Sequence, residues 1–244
     1  MAHPSRAHRV PALLVAQRAR FTEPPVTSLN ALAVEIEHAT GYVVPRFDPS
    51  SAGVDAEALL LLQSPGPAST SERGSGIISA FNDDATAEHF HQLLTRHGIG
   101  FDRILLWNVV PWWLPATSTT GTFRSPGSAD LSAAAPWLER VLALLPKTRA
   151  IVTLGRKAQT GLERYAADRE LPYTMMACPH PAGQAWNRSH LRQATEDAFA
   201  ALATLLNDEP GVSRGASRLL AWVPLTGHRT SNTVGSWKPA TSAT

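Results

Sequence analysis

Cysteine is all but missing from this sequence: Cys178 stands alone among 244 residues. A single thiol excludes an internal disulfide framework, a cysteine-built zinc site and a four-thiolate iron–sulfur cluster. It also makes a reducing, cytoplasmic setting the expectation. Long apolar runs are missing as well. No segment approaches the roughly 20 residues of a membrane span, and residues 10–16, followed at once by Arg18 and Arg20, are too short for a secretion signal. Net charge is only +2, so no global cationic field points to nucleic acid. Acid is locally absent: none precedes Glu23 and none follows Glu209, while Arg6, Arg9, Arg18, Arg20 and Arg214, Arg218, Arg229, Lys238 occupy those ends. Basic ends on a near-neutral body suit loose contact with phosphates or solvated tails. Either way the expected organisation is a flexible basic arm over 1–25, a folded α/β unit over 26–208 and a flexible basic tail over 209–244, with residues 219–223 a candidate docking segment.

What is present is an alternation. The run Ala58-Leu59-Leu60-Leu61-Leu62, closed by Gln63-Ser64-Pro65-Gly66-Pro67, has the length and uniform apolarity of a strand buried on both faces. Similar runs span 103–110, ended by Pro111, then 150–154, ended by Gly155, then 173–177, ended by Cys178-Pro179-His180-Pro181. Helical spacing of apolar residues marks 27–38, 86–97, 131–145, 157–168 and 190–206, with Gly41, Gly98 and Pro146 as stop signals. Strands alternating with helices predict a three-layer α/β/α sandwich around a four-stranded parallel sheet with right-handed crossovers. Ligands of such sheets bind beyond the carboxyl ends of the strands. There the chain carries Gln63-Ser64-Pro65-Gly66, Asn108, Gly155-Arg156 and His180-Pro181.

These residue types suit one chemistry in combination. Cleaving the bond between a base and its deoxyribose leaves positive character on the sugar and negative charge on the base, so the base edge must be held and the anion stabilised. An amide offers a donor and an acceptor side by side, as Asn108 would to a pyrimidine edge. Histidine donates a hydrogen bond without needing full charge, as His180 would to the anion. A turn of small residues, Pro65-Gly66, lets backbone N–H groups approach a ligand. Singly, each also has a plain structural role: a strand-end cap, a loop histidine between prolines, a generic turn. Asn82-Asp83-Asp84 likewise has two readings, a divalent-ion loop or a cap for the helix beginning near Thr86. None of these strands runs into a G-x-S-x-G elbow, which excludes an α/β hydrolase.

Four motifs in order carry a family resemblance: Leu62-Gln63-Ser64-Pro65-Gly66, Trp107-Asn108-Val109-Val110-Pro111, Leu154-Gly155-Arg156 and His180-Pro181-Ala182-Gly183-Gln184. They resemble the G-E-A-P-G, T-N-V-V-K, L-G-R and H-P-S-P-L motifs of the iron–sulfur branch of the uracil-DNA glycosylase superfamily. The chain looks like a cluster-free, actinobacterial-type branch of it. The resemblance implies hydrolysis of the N-glycosidic bond of uracil or a related deaminated base in DNA. It implies that Gln63 and Ser64 position water with the Pro65-Gly66 backbone, Phe81 stacks on the base, Asn108 reads it and His180 stabilises the leaving anion. It implies a monomer acting on single- or double-stranded DNA, with neither cofactor nor metal. Two departures stand out. Ser64 replaces the Asp or Asn of several branches, and Ala182-Gly183-Gln184 lacks the leucine that wedges into the base stack. Trp186 is a candidate wedge or a packing residue under the last helix, and Arg188 a candidate phosphate clamp. The departures keep open an alternative, a non-catalytic DNA- or nucleotide-binding relative that retains the pocket.

Overall fold

A computed structural model describes residues 4–70, 74–116 and 123–208. Its strands form two sheets. β1 (Arg46–Phe47) pairs in parallel with β3 (Ile77–Ile78). β2 (Ala58–Leu62), β4 (Ile104–Asn108), β5 (Ala150–Leu154) and β6 (Thr174–Cys178) make a four-stranded parallel sheet in the order β4-β2-β5-β6. β4 and β5 are buried along their whole length and β2 nearly so, whereas β6, at the edge, is half open. That is why the first three read as unbroken apolar runs: neither face of these strands meets water.

The helices form two layers. α2 (Thr27–Thr40), α4 (Ser128–Ala143) and α5 (Arg156–Ala166) pack on one another, with α5 against β2 and β5; α3 (Ala85–Arg96) and α7 (Ser189–Asn207) pack together, with α7 against β6. The sandwich expected from the alternation is therefore the fold observed. The small sheet is fastened to the large one by Phe47, whose ring stacks on Trp107 at 4.0 Å with both fully buried.

Register is locked at the amino-terminal edge of the large sheet. Glu57, Arg103 and Arg149 each precede a strand, and Ala58 pairs with both Ile104 and Ala150. One carboxylate therefore meets two guanidiniums, at 2.6 Å and 2.7 Å. Hydrogen bonding to Arg103 first, and to Arg149, holds the Glu57 carboxyl below the usual carboxylate range against the opposing cost of burial. At the opposite edge the strands finish level, with Leu62 beside Asn108, Leu61 beside Thr153 and Leu154 beside Cys178.

The amino-terminal segment corrects an expectation. Residues 1–25 read as a flexible basic arm, yet Ala7–Arg9 form a 3-10 turn and Pro11–Ala19 a helix, α1. Its cations are engaged within the chain. Arg6 reaches Glu88 at 2.6 Å and Asp83 at 3.2 Å, Arg9 reaches Asp83 at 2.7 Å, and Arg18 donates to the Ser75 carbonyl at 2.8 Å. The His8 backbone N–H donates to the Phe81 carbonyl at 3.0 Å. Because the Asn82 amide nitrogen donates to the Ile77 carbonyl, its oxygen faces His8, whose Nδ1 must donate to it at 2.9 Å. The segment is a strap across residues 74–88, and these ties leave it no role as a loose phosphate-binding arm. The basic tail over 209–244, with its candidate docking segment at 219–223, lies outside the described residues.

The Asn82-Asp83-Asp84 loop is settled by the same contacts. Asp84 caps α3 by accepting from the Ala87 N–H at 3.0 Å, Asp83 answers Arg6 and Arg9, and Asn82 is satisfied internally. Among the described residues no group of three ligands could hold a metal ion. The strap's ion pairs lie at the surface, where solvent screens them, and they add little. Its buried hydrogen bonds add about 1 kcal/mol each. A chain lacking residues 1–20 is therefore expected to lose about 2–4 kcal/mol, a fall of roughly 4–16 °C in Tm at about 2–4 °C per kcal/mol for a chain of this size. Thermal unfolding of the shortened chain measures this, and an unchanged Tm would restore the loose arm.

Candidate active site

The order β4-β2-β5-β6 reverses between β2 and β5: the chain leaves β2 toward β4 and later returns to β2's other side. Such a switch point opens a crevice between neighbouring strand exits, the favoured ligand site of open parallel sheets. Here the switch point lies between the β2 and β5 exits, with Asn108 ending β4 on one side and His180 two residues past β6 on the other.

The β2 exit is stapled to the β4 exit by the chain itself. Val109 N–H donates to the Leu62 carbonyl at 2.8 Å, and Val110 N–H to the Gln63 carbonyl at 3.0 Å. Asn108, the last residue of β4, is 3 % exposed, and its side-chain amide makes no hydrogen bond with a described residue. Its polar atoms keep the residue's small remaining contact with solvent and are open to a partner from outside. Ser64 presents a second unpaired group: its Oγ is buried and has no hydrogen-bond partner. Pro65 beside it is buried and Gln63 half-buried. A Cβ added at Gly66 would meet nothing within 4 Å, so open space lies in front of that backbone.

The β5 exit lets β6 come close. Gly155 has φ +91, a conformation suited to glycine alone, and a Cβ there would sit 3.1 Å from the Cβ of His180. Its N–H donates to the Cys178 carbonyl at 2.8 Å. His180 keeps part of its surface open while protein packs around most of its ring. That desolvation lowers its pKa, opposed by the nearby Asp84 charge, so the imidazole is neutral at ordinary pH.

Two helices hold the His180 corner from outside the motifs. His89 of α3 donates from Nδ1 to the Pro181 carbonyl at 2.8 Å, and its ring stacks on Trp186 at 4.4 Å and 12°. Thr195 of α7, 1 % exposed, shares its one hydroxyl proton between the Leu191 carbonyl at 3.0 Å and the Pro179 carbonyl at 3.4 Å. The Pro179–His180 and Pro181–Ala182 peptide groups, which bracket the His180-Pro181 corner, are thereby tied to the two helices. Neither His89 nor Thr195 stands out in the sequence. The one available signal is that His89 lies next to Phe90 on α3, off the apolar stripe of Phe90, Leu93 and Leu94.

Two expected site residues are not brought here. Phe81 is 4 % exposed and enclosed edge-on by Phe101 at 4.9 Å, His91 at 5.7 Å and His8 at 6.4 Å, so it offers no open ring face for stacking on a base. Trp186 closes the short helix α6 (Gly183–Trp186), half-buried against His89; packing, rather than a protruding wedge, is its observed role. Arg188 is exposed at the start of α7 with no partner among described residues.

An amide, a hydroxyl and a neutral imidazole thus stand at the exits of three strands of one parallel sheet, around its switch point. The chain belongs to the uracil DNA glycosylase superfamily, whose family model matches residues 52–203. Among solved structures it is similar to the SMUG2 protein of Pedobacter heparinus, at 12 % identity and a TM-score of 0.50, over 76 % of this chain and 87 % of that one. A Methanosarcina acetivorans protein, provisionally named a uracil DNA glycosylase, is 18 % identical with a TM-score of 0.33, over 61 % of this chain and 92 % of its own. No curated protein matches the chain. At 12 % identity the likeness to the Pedobacter protein is one of fold.

Proposed function

We propose that this protein hydrolyses the N-glycosidic bond of uracil, or of a related deaminated base, in DNA. The observation that carries the reading is the Asn108 amide, without a described partner on a residue only 3 % exposed, set across the switch point from a neutral His180. Their strands are three spacings apart, about 14 Å between backbones at ~4.8 Å per strand. The target base must first leave the stack, because its sugar bond is out of reach inside a duplex. Asn108 then donates to and accepts from the base edge. As the bond between the base nitrogen and the sugar carbon breaks, the electron pair moves onto the base, and His180 donates to the oxygen where charge grows. Ser64 and Gln63, with the backbone at Pro65 and Gly66, hold the water whose oxygen bonds to the sugar carbon and whose proton passes to solvent.

The decisive experiment incubates the protein with an oligonucleotide bearing one uracil, then treats it with alkali. Cleavage at the uracil is the expected result. An uncut strand that is nevertheless bound would favour the second reading, a binding relative without turnover, which Ser64 in place of the Asp or Asn of several branches supports.

Gly155 supplies a further check on the geometry. Gly155→Ala forces a residue with a side chain into a glycine conformation, at a cost of about 1–3 kcal/mol, and pushes against His180. Misplacing a catalytic group by about 1 Å can cost up to ~10²-fold. The variant is expected to fold with a modestly lower Tm and to excise at least tenfold more slowly in single turnover. Wild-type excision from a folded Gly155→Ala would break the link between the two exits.

A further inference from the structure

Cations on the described surface are unevenly engaged. Arg156, Lys157, Arg188 and Arg192 are exposed and have no partner among described residues. Every other described arginine and lysine reaches a carboxylate or a backbone carbonyl. The four unengaged ones are not scattered. Arg156 and Lys157 open α5 directly after Gly155, and Arg188 precedes α7 with Arg192 one turn further along. Residues four apart on a helix share a face. Because α5 and α7 belong to different layers, the two pairs flank the β5 and β6 exits from both sides, with His180 between them.

The local field adds to this. Neither α5 nor α7 has an acid in its first turn, so the positive ends of both helix dipoles face the same region uncompensated. Among the described residues the other exposed cations have an internal partner, and the positive charge left for something outside the protein stands at the β5 and β6 exits. Its complement is a chain of anions that can pass over one exit and down the other side.

We propose that Arg156, Lys157, Arg188 and Arg192 form a saddle for DNA phosphates, holding the strand on both sides of the nucleotide whose base enters the crevice. This rests on the reading of the crevice as a base-excision site. The saddle fixes the backbone while Asn108 and His180 act on the base, the usual division between phosphate contacts that position and base contacts that specify. Each cation that neutralises a phosphate releases condensed counterions, so its loss is visible in the salt dependence of binding.

The test uses the full chain and fluorescein-labelled DNA without uracil, single-stranded and duplex, so that binding is read independently of excision. Affinity is measured across a salt titration. Each single change, R156A, K157A, R188A or R192A, is expected to flatten the slope of log K against log salt by about 0.7 on single strands and about 0.9 on duplex. The four together are expected to flatten it by about 3 and to weaken binding at least tenfold at physiological salt. K147A removes an exposed lysine paired with Asp55 at the far edge of the sheet, and it should leave the slope unchanged. Charge-retaining R156K, R188K and R192K should also keep it. A quadruple variant with wild-type slope and affinity overturns the saddle. If that occurs while the wild-type protein excises uracil, the saddle fails and the excision reading stands. If the quadruple variant loses DNA while the wild type never excises, the saddle stands and the excision reading fails.

Discussion

Replacing His180 with alanine is expected to slow single-turnover excision by about 10²–10³-fold, the loss seen when one donor to a developing oxyanion is removed. DNA affinity should change by less than about tenfold, or roughly 1.4 kcal/mol, because phosphate contacts lie elsewhere. The asymmetry follows from charge. The base oxygen carries little charge while the bond is intact and much of it when the bond breaks, so a hydrogen bond to that oxygen favours the transition state over the bound ground state. The donor is in place beforehand: Pro179 and Pro181 restrict the backbone on either side, and Thr195 and His89 hold their carbonyls. Packing around the ring, which outweighs the pull of Asp84, depresses the His180 pKa. The neutral donor therefore persists into acid, and the acid limb of the rate profile should fall below the ordinary histidine range. The same shift means that the unfolded chain binds this proton more tightly than the folded one. Folding stability attributable to His180 is thus lost as pH falls through the ordinary histidine range toward the depressed value. A folded His180→Ala that excises at the wild-type rate would end the catalytic assignment of this corner.

Asn108→Ala is expected to be as damaging to excision and harmless to stability. With the amide gone, a donor and an acceptor on the enclosed base go unanswered, at about 1–3 kcal/mol each. That corresponds to a loss between about thirtyfold and 10⁴-fold at ~1.4 kcal/mol per decade. In the free protein the amide has no described partner and its polar atoms keep a little solvent contact, so its removal breaks no bond. Tm should stay close to that of the wild type. Asn108→Asp, which lacks the donors and sets a charge against the departing anion, should excise no better. Near-normal excision under limiting substrate in either variant, or a clear drop in Tm for Asn108→Ala, would make Asn108 a structural residue.

The fold was readable where burial is uniform. Leu59, Leu60 and Leu61, or Ile151 and Val152, meet no water on either face, so apolarity itself marks those strands, and glycine or proline marks their ends. β1 and β3, two residues each, are too short to show any period. α1 escaped notice for another reason: Val10 and Val15 are 48 % and 65 % exposed while Gln17 is buried, the reverse of an apolar stripe facing a core. Polar ties to partners 57 or more residues away, such as Arg18 to Ser75 and Arg6 to Glu88, hold that segment and leave no local signature. The site divides in the same way. Asn108 and His180 lie on strand exits, which topology alone brings together. His89 acts through a carbonyl 92 residues on, and Phe81, placed by its position in a loop, is diverted by three rings that no spacing rule brings to it.

The central place of β2 has a consequence for synthesis. β2 is the first strand of the large sheet to be made, yet its two edges pair with β4 and β5, so Leu62 waits 46 residues for Asn108 and Leu61 waits 92 for Thr153. At about 5–20 residues per second on the ribosome, the nascent chain carries Ala-Leu-Leu-Leu-Leu with unpaired backbone for several seconds or longer. A short apolar strand with open edges is the kind of segment that pairs with copies of itself. The yield of folded protein should therefore respond to translation speed between residues 62 and 154 and to chaperone supply, even when the finished molecule is stable.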